Sequence, residues 1–161
     1  MDTSIWSIPS HPLDAEAARR GVQAQHREIR RLLQRARETA EAALDGRAPR
    51  PDSVASAVGD IRTTMEVHLA FEEKVLVPLF EQDVPVGPER ARRMLEEHRG
   101  QREMLARLHH EAVKHPELPT LSAKLAFLAS WLLADMAEEE RALLTSDVLR
   151  DDQIVVDQSS G

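Results

Sequence analysis

The chain has no cysteine. Disulfides, thiolate metal sites, iron–sulfur clusters and cysteine nucleophiles are therefore excluded together. Tyrosine is absent as well, which removes a tyrosyl radical as a possible mechanism. There is no excess of positive charge: the formal net charge is -7, so no basic field exists to capture nucleic acid or an anionic membrane. Long apolar runs are also missing. The longest uncharged stretch in the body of the chain, 125–134, is too short to span a bilayer. The first nine residues carry Asp2 and no apolar run, unlike a secretory signal. These absences make a reducing cytoplasm the expected location, with no nucleic-acid or membrane partner.

What is present points to helices. Ala, Leu, Glu, Arg and Lys supply 78 of the 161 residues. Of 9 prolines, all but Pro78 fall in pairs: Pro9 and Pro12, Pro49 and Pro51, Pro85 and Pro88, Pro116 and Pro119. Prolines grouped in this way punctuate helices. They divide the chain into segments over about 14–44, 52–82, 88–114 and 120–149, each roughly 40 Å long at 1.5 Å per residue. Asp14 suits the first N-cap and Gly46 the first stop, while Pro78 can bend the end of the second segment. Short connections force antiparallel neighbours, so the expected fold is all-α, an up-down-up-down four-helix bundle over 14–149. Tails at 1–13 and 150–161 flank it; Ile5, Trp6 and Ile8 in the first can lie over the bundle.

The apolar stripes are interrupted at one level. At alternating three- and four-residue spacing the first helix reads Val22, His26, Ile29, Leu33, Ala36, Ala40. The second reads Val54, Val58, Ile61, Met65, His68, Glu72, Val75, Leu79. The third reads Ala91, Met94, His98, Gln101, Leu105, Leu108, and the fourth Leu121, Leu125, Leu128, Leu132, Asp135, Glu139, Ala142. Taken singly, a histidine on an apolar face is most often a hydrogen-bonded core residue. Folding the segments at their turns, however, brings His26, His68, Glu72, His98, Asp135 and Glu139 to one depth within about 4.5 Å of helix rise.

Three carboxylates inside an apolar core cost several kcal/mol each, on the order of a buried charge, unless a positive group compensates. No lysine or arginine lies on the stripes at that level; Arg102, beside the third stripe, is the nearest. Metal cations would satisfy all six groups. Three imidazoles and three carboxylates suit iron or manganese, with zinc also possible. The pairs His68–Glu72 and Asp135–Glu139 are spaced to share a helix face.

These residues, His26 within HREIRRLL, His68 and Glu72 within HLAFEEKVLVPLF, His98 within EEHRGQREMLARL and the fourth-helix DMAEEERALL, resemble a hemerythrin-like, HHE-type cation-binding domain over about 14–149. The resemblance implies a non-haem di-iron centre: two iron ions, ferrous or ferric, oxo- or hydroxo-bridged in that family, held by His26, His68, Glu72, His98, Asp135 and Glu139. Glu72 and Glu139 would be the bridging carboxylates. It also implies iron and dioxygen or peroxide as partners, in reaction, iron handling or redox sensing.

Two positions depart from the family pattern. Asp135 stands where histidine is usual, and Arg102 stands where oxygen-carrying hemerythrins have a second third-helix histidine. Three carboxylates contribute -3 against the +4 of two ferrous ions, which favours ferric iron over reversible oxygenation. Aspartate is also shorter than histidine, so its reach to a metal is reduced. A reversible dioxygen carrier and a metal-depleted structural bundle are the two alternative readings. Elsewhere, His109, His110 and His115 suit a helix C-terminus. The run Glu138–Glu140 reads as a half-solvated face, Trp131 as packing or subunit contact, and Glu97 and Arg102 as partners that orient histidines. No nucleophile–base set and no glycine-rich phosphate loop is present.

Overall fold

The computed structural model describes residues 3–45, 51–82, 86–114, 117–142 and 144. It contains a short 3-10 turn, Thr3–Trp6, and four helices: α1 (Ala15–Leu44), α2 (Pro51–Glu81), α3 (Gly87–Lys114) and α4 (Leu118–Ala142). No strand occurs among the described residues. The proline punctuation is visible in the helix starts: Pro51, Pro88 and Pro119 sit in first turns, where a missing N–H costs nothing. Asp14 caps α1, its carboxylate accepting from the Ala17 N–H at 2.6 Å. Pro78 lies within the last turns of α2 and its carbonyl accepts from the Gln82 side chain at 3.0 Å.

α4 is described to Ala142, and beyond it the Leu144 N–H turns back to the Glu139 carbonyl at 3.1 Å. Leu144 then packs among Ala15, Phe71 and Met94, closing that end of the bundle. Residues 145–149 and the 150–161 tail, with Ile154, Val155 and Val156, lie outside the described residues, as does His115. The N-terminal segment docks: Trp6 packs on the core, and the Ile5 carbonyl accepts from Gln25 Nε2 at 2.6 Å.

α1 packs against α2 and α4, and α2 packs most extensively against α3. The α3–α4 seam is the loosest neighbouring pair. The core lies in two parts. One comprises Ile29, Leu33, Ile61, Met65, Leu105, Leu125, Leu128 and Leu132 with their neighbours. The other comprises Ala15, Ala18, Val22, Phe71, Val75, Leu76, Phe80, Ala91, Met94 and Leu144. The α1 stripe is buried as expected, but α2 and α4 bury wider faces. Leu69, Phe71, Leu76 and Phe80 join from α2, and Ser122, Ala129 and Met136 from α4, whereas Leu79 and Ala142 are only half-buried. A helix in contact with more than one neighbour needs more than a single narrow line of apolar side chains. Gly21 permits one close approach: a Cβ there would lie 2.7 Å from the tip of the Phe71 ring.

α4 is long and apolar enough by composition to cross a membrane, yet Leu121, Leu125, Leu128, Leu132 and Met136 all face the bundle core. This predicts a sharp contrast along one helix. Leu125→Ala, at a fully buried position, should destabilise by about 2–5 kcal/mol, whereas Phe127→Ala, at a side chain 68% exposed, should change stability by less than about 0.5 kcal/mol. Urea unfolding midpoints measure both.

Candidate metal centre

The break between the two core clusters is polar. Val22 and Ile29 belong to different clusters and His26 lies between them; Met65 and Val75 likewise enclose His68 and Glu72. His98 follows Met94 on α3, and Glu139 lies between Met136 and Leu144. His26, His68, Glu72 and His98 are each at most 3% exposed. Apolar layers above and below therefore deny these groups the water that would otherwise solvate them.

Glu72 is at the centre. Its Oε1 lies 3.1 Å from His68 Nε2 and 3.5 Å from His26 Nε2, while its Oε2 lies 3.3 Å from His98 Nε2. Glu139 Oε2 lies 3.4 Å from His26 Nε2. The ligand atoms of His26, His68, Glu72 and Glu139 all fall within 4.8 Å of one another. With metal–donor bonds of about 2.1 Å, neighbouring donors around one ion sit roughly 3.0 Å apart at a right angle and roughly 3.4 Å apart in a tetrahedron. The His68–Glu72, His26–Glu139 and His26–Glu72 separations, 3.1, 3.4 and 3.5 Å, are of this size. His26 Nε2 and Glu72 Oε1 also have no hydrogen-bond partner despite complete burial, so both are donors aimed at a common point and left unsatisfied by protein.

The outer nitrogens explain why the inner ones point inward. His26 Nδ1 is 2.9 Å from Glu140 Oε1, and that carboxylate also accepts two bonds from Arg30, each 2.9 Å. His98 Nδ1 is 3.0 Å from Glu73 Oε1, which accepts from Arg102 Nη1 at 2.6 Å; Arg102 Nε in turn donates to Glu66 at 3.1 Å. His68 Nδ1 is 2.9 Å from Gln25 Oε1. The Gln25 amide nitrogen is committed to the Ile5 carbonyl, so its oxygen must accept from His68. With each Nδ1 engaged outward, each ring turns its Nε2 to the centre, where it offers a lone pair once that nitrogen is deprotonated.

Of the six candidates, four converge as one set and His98 approaches the far oxygen of Glu72. Asp135 differs: its Oδ2 accepts from Gln101 Nε2 at 2.6 Å, and it stands outside the converging set. Arg102 supports His98 through Glu73, as an orienting role requires. Glu97 lines a cavity and pairs with Arg93 at 3.9 Å. Glu140, part of the run read as a half-solvated face, has a side chain 28% exposed and also holds His26. Gln25, Glu73 and Arg30 have no role in the sequence reading, and Glu140 enters it only within its half-solvated run. The available signal is that Gln25, Glu73 and Glu140 each adjoin a stripe residue, His26, Glu72 and Glu139 respectively. His109 has a separate contact, with Arg62 at 3.2 Å, and Trp131 packs against the core.

The cavity lies between α3 and α4, has a volume of about 260 Å³, and reaches inward to His68, Glu72, His98 and Glu139. Gln101 and Asp135 form its inner wall, and Arg93, Glu97 and Glu138 are on exposed positions around it. It is a route from solvent to the centre along the loosest seam of the bundle.

Charge is tightly coupled here. Burial alone would lower the His26 pKa, but Glu139 and Glu72 override it and push it up to about 10. Burial opposes the Glu72 charge, yet His68, His26 and His98 hold its carboxyl well below the usual range. Burial and the Glu72 charge raise Glu139; burial, Glu97 and Glu72 raise Asp135. In the outer ring, partial burial is outweighed by Arg102 and His98 at Glu73, and by Arg30 and His26 at Glu140, so both are lowered.

The family model of the hemerythrin HHE cation binding domain matches residues 18–145. Comparisons with curated proteins and with solved structures return no significant match.

The His26 shift predicts how metal-free protein responds to pH. A folded pKa of about 10 exceeds the ordinary 6.5, so this group's contribution to stability is complete below pH 6.5 and is lost as pH rises through about 10. The slope should not exceed about 1.4 kcal/mol per pH unit. Urea titrations of metal-free protein should show this decline, and His26→Gln should remove it.

Proposed function

The chain belongs to the hemerythrin HHE cation-binding family, and on that premise we propose that it binds iron at the His26, His68, Glu72 and Glu139 set and acts on dioxygen or peroxide. The observation that carries this reading is the pair of unsatisfied buried donors, His26 Nε2 and Glu72 Oε1, facing neighbouring imidazole and carboxylate donors. Two imidazoles and two carboxylates form a hard-to-borderline set suited to iron or manganese. Iron bound there would supply redox equivalents to a small oxidant.

The chain's own residues perform the other tasks. Glu140 and Gln25 fix the ring orientations of His26 and His68, so their lone pairs are in place before a cation arrives. His26 gives up its proton on cation uptake, since an imidazolium offers no lone pair. Leu132, Met94 and Met136 keep the walls of the cavity apolar, while the gap between α3 and α4 admits a molecule the size of dioxygen or peroxide. Oxidative reaction or redox sensing is favoured over reversible oxygen carriage by the acidic donor set, which stabilises the more highly charged oxidation state.

Chain purified without added metal or chelator should retain iron by plasma mass spectrometry. After anaerobic ferrous reconstitution, air or peroxide should change its absorption spectrum irreversibly under vacuum. A change that reverts under vacuum would instead establish reversible oxygenation, and failure to retain any metal after reconstitution would remove the reading. Glu72→Gln should weaken ferrous binding at least about tenfold, because removing a metal-bound or metal-orienting group costs affinity on that scale.

A further inference from the structure

Resting on that reading, we infer that the chain holds one divalent ion, at His26, His68, Glu72 and Glu139, and that the place beside His98 does not hold a second. Each side of the centre offers a different set of groups. On the α1 side, four donors from three helices come within 4.8 Å of one another. Their two carboxylates balance the charge of one divalent cation. Glu140–Arg30 and Gln25–Ile5 brace the two imidazoles from outside.

Among the described residues, the α3 side shows no equivalent set. His98 Nε2 lies 3.3 Å from Glu72 Oε2, and that carboxylate is already shared with the first set. Asp135, the remaining acidic candidate, is engaged by the Gln101 amide at 2.6 Å. Arg102 stands one helical turn after His98 and is tied to Glu73 and Glu66. A guanidinium has no lone pair to offer, so this position supplies no further donor. The cavity opens on this same side, with His98, Gln101 and Asp135 along it. The α3 side is therefore an approach for small molecules to a single ion.

Anaerobic titration of the full chain with ferrous iron, followed by equilibrium dialysis and metal analysis, tests the stoichiometry. One ion per chain is expected. Oxidation should then give the electron paramagnetic resonance signal of isolated high-spin ferric iron, with an intensity that accounts for the bound metal. Asp135→Asn should still bind one ion with affinity unchanged within about twofold, while Glu139→Gln should bind at least tenfold more weakly with its helical content intact. Two ions per chain, a coupled pair without that signal, or loss of an ion in Asp135→Asn would overturn the inference and leave iron binding standing. No bound iron would remove the underlying function instead.

Discussion

The Glu72 carboxylate is the constraint around which the bundle is arranged. It is 1% exposed and meets His26, His68 and His98 from three helices within 3.5 Å. A charge in that position is tolerated only with positive compensation, and the protein provides it through shared protons or a cation. The surrounding architecture follows from that requirement. The apolar core is divided at this level into two clusters, each packed well enough to hold the polar layer between them. The histidines are therefore not isolated polar residues in a continuous core. They belong to one plane that crosses the bundle.

Orientation comes from a second ring of interactions, with a different partner for each imidazole. Glu140 is clamped by Arg30, Glu73 by Arg102, and Gln25 by the backbone of the N-terminal turn. The carboxylates of this ring lie nearer the surface, where an arginine can neutralise each without entering the centre. Charge is thus graded outward: unsatisfied donors inside, neutralised carboxylates around them, and solvated ion pairs beyond. The Gln25 link also ties the 3-10 turn at Thr3–Trp6 to His68, so a segment outside the bundle contributes to the geometry within it.

The seam between α3 and α4 gives that interior its access. α2–α3, α1–α4 and α1–α2 all pack more closely than α3–α4, and the α1 side of the centre has the more complete donor set. The looser side carries the cavity, His98, and the Gln101–Asp135 hydrogen bond. Tight packing where donors must be held and an opening where small molecules must pass are compatible only if they occupy different helix pairs.

Most of the architecture was legible from periodicity and proline placement. Stripes at helical spacing identify four helices and the depth of His26, His68, Glu72, His98 and Glu139, because a helix converts sequence separation into height at 1.5 Å per residue. The same arithmetic placed Asp135 at that depth but could not say what it touches. Height leaves azimuth and rotamer open, and a difference of one position turns a helical side chain by about 100°. For that reason the stripes do not mark Gln25, Glu73 and Glu140, each one residue away from a stripe, although they hold the imidazoles. The pairing of Asp135 with Gln101 was likewise decided by how α3 and α4 meet, as was the direction in which Arg102 extends. Sequence by itself determined which groups share a layer, because helix rise is local and regular. Only the tertiary structure decided which of them face one point, because that depends on the rotation of each helix about its axis and on the neighbours each side chain finds there.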